Sequence, residues 1–99
     1  MTMPITIDKD RIEEFCVKHH ITKFAFFGSV LTDHFRPDSD VDILFDYDPE
    51  HIPSLFEVAE MEEEMSLILG YKADMRTAQD LSRYFRDEVI RTALVQYAA

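Results

Sequence analysis

Residues 23–46 read KFAFFGSVLTDHFRPDSDVDILFD, and this stretch decides the fold of the chain. It opens with a short run that is apolar at odd and even positions alike, as expected for a strand covered on both faces. The run breaks at Gly28-Ser29, crosses a turn that contains Pro, and returns as a run in which Asp alternates with apolar side chains. The pattern predicts a strand, a tight turn and a second strand that presents Asp40 and Asp42 on one face.

These residue types, in this order, favour phosphoryl or nucleotidyl transfer. A Gly-Ser turn at the start of a short helix can bind phosphates through backbone N–H groups and a hydroxyl. Asp40 and Asp42 lie about 7 Å apart along a strand, a separation that metal ions can bridge. Asp74 alternates with apolar residues in a third predicted strand over residues 71–76, which makes it the best candidate for a third carboxylate. It could complete a two-metal site and help to take the proton from the acceptor.

The rest of the chain predicts helices around these strands. Asp8 is a suitable N-cap for a first helix, and residues 53–69 form the clearest helix, with Pro53 in its first turn and Gly70 at its end. The predicted buried stripe of this second helix consists of Leu55, Val58, Met61, Met65 and Ile68 or Leu69, and its glutamates are expected to face solvent. Thr77 and Asp80 indicate the start of a last helical region, whose final residues 94–97 fit either helix or an edge strand. The order predicts an α/β (α+β) fold with one small sheet, in a single domain over residues 1–99.

The composition limits the class of protein. The net charge is −10, and the ten Lys and Arg residues are scattered, so direct binding of nucleic acid is not expected. An acidic chain can still bind a nucleotide through divalent metals, or meet a basic protein partner. The apolar runs are too short to span a membrane, and there is no secretory signal pattern. With one cysteine, Cys16, the expected compartment is the cytoplasm.

A calcium-binding loop is the main alternative for the Asp-rich segment. The residues Asp38-Ser39-Asp40-Val41-Asp42 match the opening of such a loop. However, Ile43 stands where the loop needs Gly, and Pro49 stands where it needs Glu. The apolar alternation therefore indicates a strand.

The motif as a whole resembles a known family. Gly28-Ser29, ten intervening residues and then Asp40-Val41-Asp42 reproduce the Gly-Ser…Asp-x-Asp signature of the DNA polymerase β-like nucleotidyltransferases. The short chain, the context FGSVLTDHFRPDSDVDILF and the later KADMRT are similar to a minimal nucleotidyltransferase, the MNT antitoxin of HEPN/MNT toxin–antitoxin modules. The resemblance covers nearly the whole chain and implies a small mixed β-sheet flanked by helices.

The resemblance also implies an activity and a site. Gly28 and Ser29 would hold the triphosphate of ATP, Ser39 would support the nucleotide site, and Asp40 and Asp42 would bind two Mg²⁺ ions. Asp74 would complete one metal site and assist deprotonation of the acceptor. Such proteins pair with a HEPN ribonuclease toxin in a type VII-like module. They silence it by transferring AMP from ATP to a tyrosine hydroxyl, with release of pyrophosphate.

Two alternatives to this function stay open at the level of sequence. The chain could neutralise its toxin by contact alone, as a non-catalytic antitoxin in a hetero-oligomer. It could instead modify a small molecule or tRNA, although 99 residues leave little room for a separate acceptor domain. Family members also often carry a basic or aromatic residue where this chain has Val30, and a basic residue where it has Thr32. Arg36 or Arg76 is then the candidate cation for the phosphates.

Overall fold

The computed structural model describes residues 4–99, which form one four-stranded sheet and three helices. The elements are α1 (Lys9–Lys18), β1 (Ile21–Phe27), β2 (Val41–Tyr47), α2 (Leu55–Leu69), β3 (Ala73–Arg76), α3 (Arg86–Thr92) and β4 (Leu94–Ala98). Short 3-10 turns follow β1 at Gly28–Leu31 and β3 at Ala78–Asp80. Over the same range, no helix combines the length and the apolarity that a membrane crossing requires.

The sheet has the strand order β3-β2-β1-β4 and is mixed. β1 is antiparallel to both of its neighbours, β2 and β4. β2 and β3 run parallel and are joined by α2, because parallel strands need a crossover connection. The predicted fold class, a small mixed sheet flanked by helices, is confirmed.

The two faces of the sheet differ in character, as the period-two alternation in β2 predicts. One face carries aromatic and branched side chains such as Phe24, Phe26, Ile43 and Phe45, which are buried in one cluster with the apolar stripes of α1 and α2. The opposite face carries the acidic side chain of Asp42. α1 and α2 both pack on the first face, so neither helix covers Asp42, although Ala25 and Leu44 on the same, acidic face are also buried.

The ends of α1 and α2 follow local capping chemistry. The Asp8 carboxylate accepts a hydrogen bond from the Arg11 N–H (3.2 Å), which confirms Asp8 as the N-cap. In α2 the N-cap is Ser54, whose hydroxyl accepts from the Glu57 N–H (3.1 Å). Pro53 therefore precedes the helix, and the prediction that it lies in the first turn is wrong. Gly70 ends α2 with a φ of 79°, as predicted.

The buried stripe of α2 is shorter than predicted. Met61, Met65 and Leu69 are buried, whereas Leu55 is exposed. The helix thus contacts the core through its later turns, and its first turn lies outside the core. Helical periodicity predicts which side chains share one face of a helix. It does not predict how far the core extends along that face.

Two side chains of α2 also close the outer edge of β3. The Glu62 carboxylate accepts a hydrogen bond from the Met75 N–H (2.8 Å), and the Ser66 hydroxyl accepts one from the Ala73 N–H (2.8 Å). An unpaired strand edge exposes such N–H groups. The sequence predicted that Glu62 faces solvent. Its carboxylate instead binds the backbone of β3 and stabilises that edge of the sheet.

Glu64 forms a second exception to the solvated face, because it links α2 to the end of α1. Its carboxylate lies 2.8 Å from Lys18 Nζ and 3.1 Å from His19 Nε2. Burial raises the pKa of Glu64, but the hydrogen bonds from Lys18 and His19 outweigh burial and hold that pKa below its usual value. The charged form of Glu64 therefore stabilises the fold.

We expect Glu64→Gln to lower the free energy of unfolding at pH 7 by about 0.5 kcal/mol, a value limited by solvent screening. Because the folded-state pKa is depressed, the contribution is complete above the unfolded pKa of about 4.3 and is lost as the pH falls through the folded value. Urea denaturation from pH 7 to pH 3 measures this. Glu63→Gln, at an exposed position of the same helix, is the control. A difference that persists unchanged at pH 3 would contradict the ion-pair explanation.

The region after β3 is less helical than predicted. Thr77 and Asp80 do form a capping box, with the Asp80 carboxylate accepting from the Thr77 N–H (3.0 Å), but the helix that follows is a single 3-10 turn. The next helix, α3, begins at Arg86, is short and contains no buried residue. The apolar residues of this region predict a buried stripe that includes Tyr84 and Phe85, but both are exposed. The open question over residues 94–97 is resolved in favour of a strand, since β4 forms an edge of the sheet beside β1.

Candidate active site

The predicted Gly-Ser turn lies directly against the predicted carboxylates. β1 ends at Phe27, which pairs with Asp42 across the antiparallel ladder. Gly28 then takes a φ of 78°, and a side chain at this position would collide with the Asp42 carboxylate. Only glycine combines this left-handed backbone with such close approach. The structure therefore brings together Gly28 and Asp42, which the sequence places fourteen positions apart.

The turn after Gly28 is closed by its own groups. The Thr32 N–H and hydroxyl both donate to the carbonyl of Ser29, at 2.9 and 2.8 Å. Val30 is fully buried in the core, which anchors the turn to the sheet. A cation at position 30 would therefore point away from any phosphate bound outside the turn, and Thr32 has a structural task in closing it.

The carboxylates lie on neighbouring strands. Asp42 on β2 and Asp74 on β3 are register partners in the parallel ladder. Neighbouring strands are about 4.8 Å apart, so the two side chains rise side by side from the acidic face. Asp40 stands one residue before β2 and is exposed. Strand alternation predicted that these side chains share one face of the sheet. The pairing of β2 with β3 shows in addition that Asp42 and Asp74 are direct neighbours.

The electrostatics of this cluster show unbalanced negative charge. Burial raises the pKa of Asp42 above its ordinary value, and the neighbouring charge of Asp74 raises it further. Arg76 partly opposes this, and Asp40 adds a smaller increase. Half-buried carboxylates that repel one another are stabilised by a bound cation.

Arg76 holds the third carboxylate. Its guanidinium donates to Asp74 Oδ2 from Nη2 (3.1 Å) and from Nε (3.3 Å). It projects from the same face, two residues beyond Asp74, beside Leu44 of β2. The sequence named Arg76 only as a possible cation for the phosphates, because its ion pair with Asp74 depends on the side-chain conformation that the fold imposes.

Oxygen donors of this kind fit Mg²⁺. Carboxylates are hard ligands, and Mg²⁺ is usually bound by one or two of them together with substrate phosphates. Within residues 4–99, no group of three His, Cys, Asp or Glu side chains is arranged closely enough to hold a metal by itself. Asp40 and Asp42, with Asp74 released from Arg76, are the residues that would hold the metal, and their roles as ligands stay predictions.

Ser39 lies in the turn that immediately precedes Asp40. Its N–H donates to the carbonyl of Arg36 (2.9 Å), and its hydroxyl accepts from the Arg36 N–H (3.0 Å). These two bonds close the turn immediately before β2. A contact between Ser39 and a nucleotide stays a prediction.

Comparison with known proteins agrees with this geometry. A model of the nucleotidyltransferase domain family matches residues 9–97. The chain belongs to this family. The protein adenylyltransferase MntA of Thermococcus cleftensis is 32% identical to this nucleotidyltransferase over 87 residues, which are 88% of this chain and 83% of the relative. A Methanocaldococcus jannaschii protein named for the same activity is 30% identical over 78 residues, which are 79% of this chain and 78% of that protein.

Solved structures share the fold of this nucleotidyltransferase. A minimal nucleotidyltransferase superposes with a TM-score of 0.71 at 26% identity, covering 87% of this chain and 86% of that chain. A toxin–antitoxin structure with AMP-PNP gives a TM-score of 0.74 at 14% identity, covering 94% of this chain and 75% of that chain. The sequence-based assignment to the minimal nucleotidyltransferases is thereby confirmed.

Proposed function

We propose that this nucleotidyltransferase is the antitoxin of a type VII-like toxin–antitoxin module and transfers AMP from ATP to a tyrosine hydroxyl of a cognate HEPN-family ribonuclease toxin. The product is an AMP–tyrosine phosphodiester, and pyrophosphate is released. The acceptor and the nucleotide meet in the cytoplasm, within a hetero-oligomer of antitoxin and toxin. The observation that supports this most directly is that Asp42 on β2 lies against Gly28, in the turn after β1, and beside its register partner Asp74 on β3.

The residues of the site have separate tasks in this reaction. The backbone N–H groups and the hydroxyl of the Gly28-Ser29 turn bind the β- and γ-phosphates. Two Mg²⁺ ions, held by Asp40, Asp42 and Asp74, would supply the positive charge that neutralises the phosphates and the attacking oxygen. The tyrosine oxygen forms a bond to the α-phosphorus as the bond to the β-phosphate oxygen breaks. Asp74 accepts the proton that the hydroxyl loses.

The names of the relatives support the protein acceptor. The MntA relative from Thermococcus cleftensis is named a protein adenylyltransferase, and the structure with AMP-PNP is a toxin–antitoxin. The acidic balance of this chain also makes a basic protein a better partner than a bare RNA. These points favour a protein hydroxyl over a small molecule or a tRNA end.

Co-expression with the cognate HEPN protein tests the proposal. We expect the mass of the HEPN protein to increase by one or more AMP units, located on a tyrosine by peptide fragmentation. The modification requires ATP and Mg²⁺ when it is reconstituted from purified proteins, and EDTA prevents it. A toxin that is neutralised yet keeps its unmodified mass would instead establish the non-catalytic antitoxin, which acts by contact alone.

A further inference from the structure

A cavity opens at the outer edge of β3, beside the candidate active site. It lies between the first half of α2 and the Ala78–Asp80 turn and has a volume of about 420 Å³. Ligand pockets in proteins are commonly about 300–1,000 Å³. Its apolar walls include Tyr47, Leu55, Val58 and Met75. Asp74 and Arg76 are among its polar lining residues, so the cavity borders the candidate catalytic residue Asp74.

The other acidic groups in this cavity already have partners. The Glu62 carboxylate is bound to the Met75 N–H, and the Asp80 carboxylate is bound to the N–H and hydroxyl of Thr77. The Arg76 side chain, in contrast, is about half exposed (48%), and the Asp74 carboxylate that it binds is 27% exposed. Asp74 and Arg76 bind each other and are partly exposed, so both are accessible to a polar group that enters the cavity.

An exposed apolar patch continues from the cavity onto the surface. Ile52, Leu55 and Phe56, here called the Leu55 patch, are 69%, 88% and 85% exposed. Leu55 belongs both to this patch and to the cavity wall. Large apolar side chains with this exposure, close together in the sequence, are typical of protein interaction sites. Glu50, Glu57 and Glu60 lie close to the patch in the sequence and are exposed.

The order of the strands determines the side from which an acceptor arrives. Across the acidic face, Gly28 at the end of β1 comes first, then Asp42 on β2, then Asp74 on β3. In nucleotidyl transfer, the attacking oxygen and the leaving oxygen lie roughly in line on opposite sides of the phosphorus. If the leaving pyrophosphate is bound at the Gly28 turn, the acceptor hydroxyl must come from the β3 side. The cavity and the Leu55 patch lie on that side.

We propose that the β3-edge cavity and the Leu55 patch are the docking site for the acceptor protein. An acceptor tyrosine enters the cavity with its hydroxyl beside Asp74, and apolar residues next to that tyrosine pack on the Leu55 patch. This inference rests on the proposed function, because it takes the Gly28 turn as the binding site of the pyrophosphate.

The chemistry of the cavity selects this occupant. A tyrosine side chain has an apolar ring and a polar tip, which match the apolar walls and the Asp74 carboxylate. The net charge of −10 favours an acceptor segment that carries Lys or Arg near the tyrosine. An RNA end would bring phosphates to a chain with a net charge of −10 and a polar ribose to apolar walls.

The double variant Leu55→Ser/Phe56→Ser tests the docking site with the purified cognate HEPN-family protein as the probe. Both positions are exposed, so the core of α2 is left intact. We expect the affinity for the HEPN protein, and kcat/KM with that protein as the varied substrate, to fall at least about tenfold, as for central interface residues. The Kd for Mg-ATP is expected to stay unchanged.

The control is Leu67→Ser, on the same helix. Leu67 is 79% exposed and lies outside the cavity, near the other end of α2. We expect this variant to match the wild type in affinity, kcat/KM and ATP binding. Wild-type affinity and kcat/KM in the Leu55/Phe56 double variant would overturn the docking site, as would an equal loss in Leu67→Ser.

The separate readouts distinguish this inference from the proposed function. If the wild type transfers AMP to no protein, the proposed function fails, and the measured affinities alone decide whether the HEPN protein docks on the Leu55 patch. If AMP is transferred to an RNA end at a rate that the double variant leaves unchanged, the docking site is overturned. Transfer to the HEPN protein that requires Leu55 and Phe56 supports both.

Discussion

Replacing both Asp40 and Asp42 with Asn is expected to lower the rate of AMP transfer by at least about a thousandfold. Metal-held positive charge contributes several kcal/mol of transition-state stabilisation, and each 1.4 kcal/mol corresponds to about a factor of ten in rate. Asn keeps the size of each side chain but removes the charge that holds a cation. Single-turnover transfer of labelled AMP to the HEPN protein, in excess Mg²⁺, measures the effect.

The same double variant is expected to be more stable than the wild type in the absence of metal. Burial and the charges of Asp74 and Asp40 act against the ionised form of Asp42, and Asn removes that repulsion. Added Mg²⁺ should then raise the melting temperature of the wild type but not of the variant, because only a ligand that binds the folded state stabilises it. Unimpaired transfer by the variant, or equal stabilisation of both proteins by Mg²⁺, would refute the assigned metal site.

Gly28→Ala is expected to destabilise the protein and to lower transfer by at least about a hundredfold. A φ of 78° costs an L-residue about 1–2 kcal/mol, and the added methyl group would also collide with the Asp42 carboxylate. We expect a total loss of about 2–4 kcal/mol in unfolding free energy. Relief of the collision must move the turn or Asp42, and a misplacement of about 1 Å can lower a rate a hundredfold.

Gly70→Ala is the matched control for this substitution. Gly70 has a φ of 79°, but apart from its chain neighbours and the backbone of its own helix, no atom lies within 4 Å of the position that its Cβ would take. This variant should therefore lose only about 1–2 kcal/mol, from the backbone conformation, and keep the wild-type transfer rate. Urea denaturation and single-turnover transfer on both variants separate the two effects. Equal activity of the Gly28 and Gly70 variants would show that close contact with Asp42 is unimportant for the reaction.

The sequence predicted those parts of the site that depend on short-range patterns. The alternation in β2 placed Asp42 on one face because successive strand residues point to opposite sides. The Gly-Ser dipeptide predicted a tight turn because it follows an apolar run and only Gly accepts a positive φ without strain. These rules act within a few residues, so a single sequence is sufficient to apply them.

Other features depend on which elements become neighbours, and local patterns do not contain that information. The alternation of residues 71–76 predicted the face of the strand on which Asp74 lies. Only the pairing of β3 with β2 makes Asp74 adjacent to Asp42. The apolar periodicity of α2 predicted burial of Leu55, yet the core ends before the first turn of the helix. The Asp74–Arg76 ion pair and the cavity beside it likewise depend on tertiary packing.

The hydrogen bonds from β3 to Glu62 and Ser66 also limit how the protein can assemble. Among the described strands, β3 has its outward N–H groups at Ala73 and Met75 bound by α2, whereas β4 forms the opposite edge. If two copies paired through β4 about a two-fold axis, both outer edges of the joined sheet would be β3 edges. Growth by strand addition would then stop at two chains, so the sheet would form a closed pair rather than a filament.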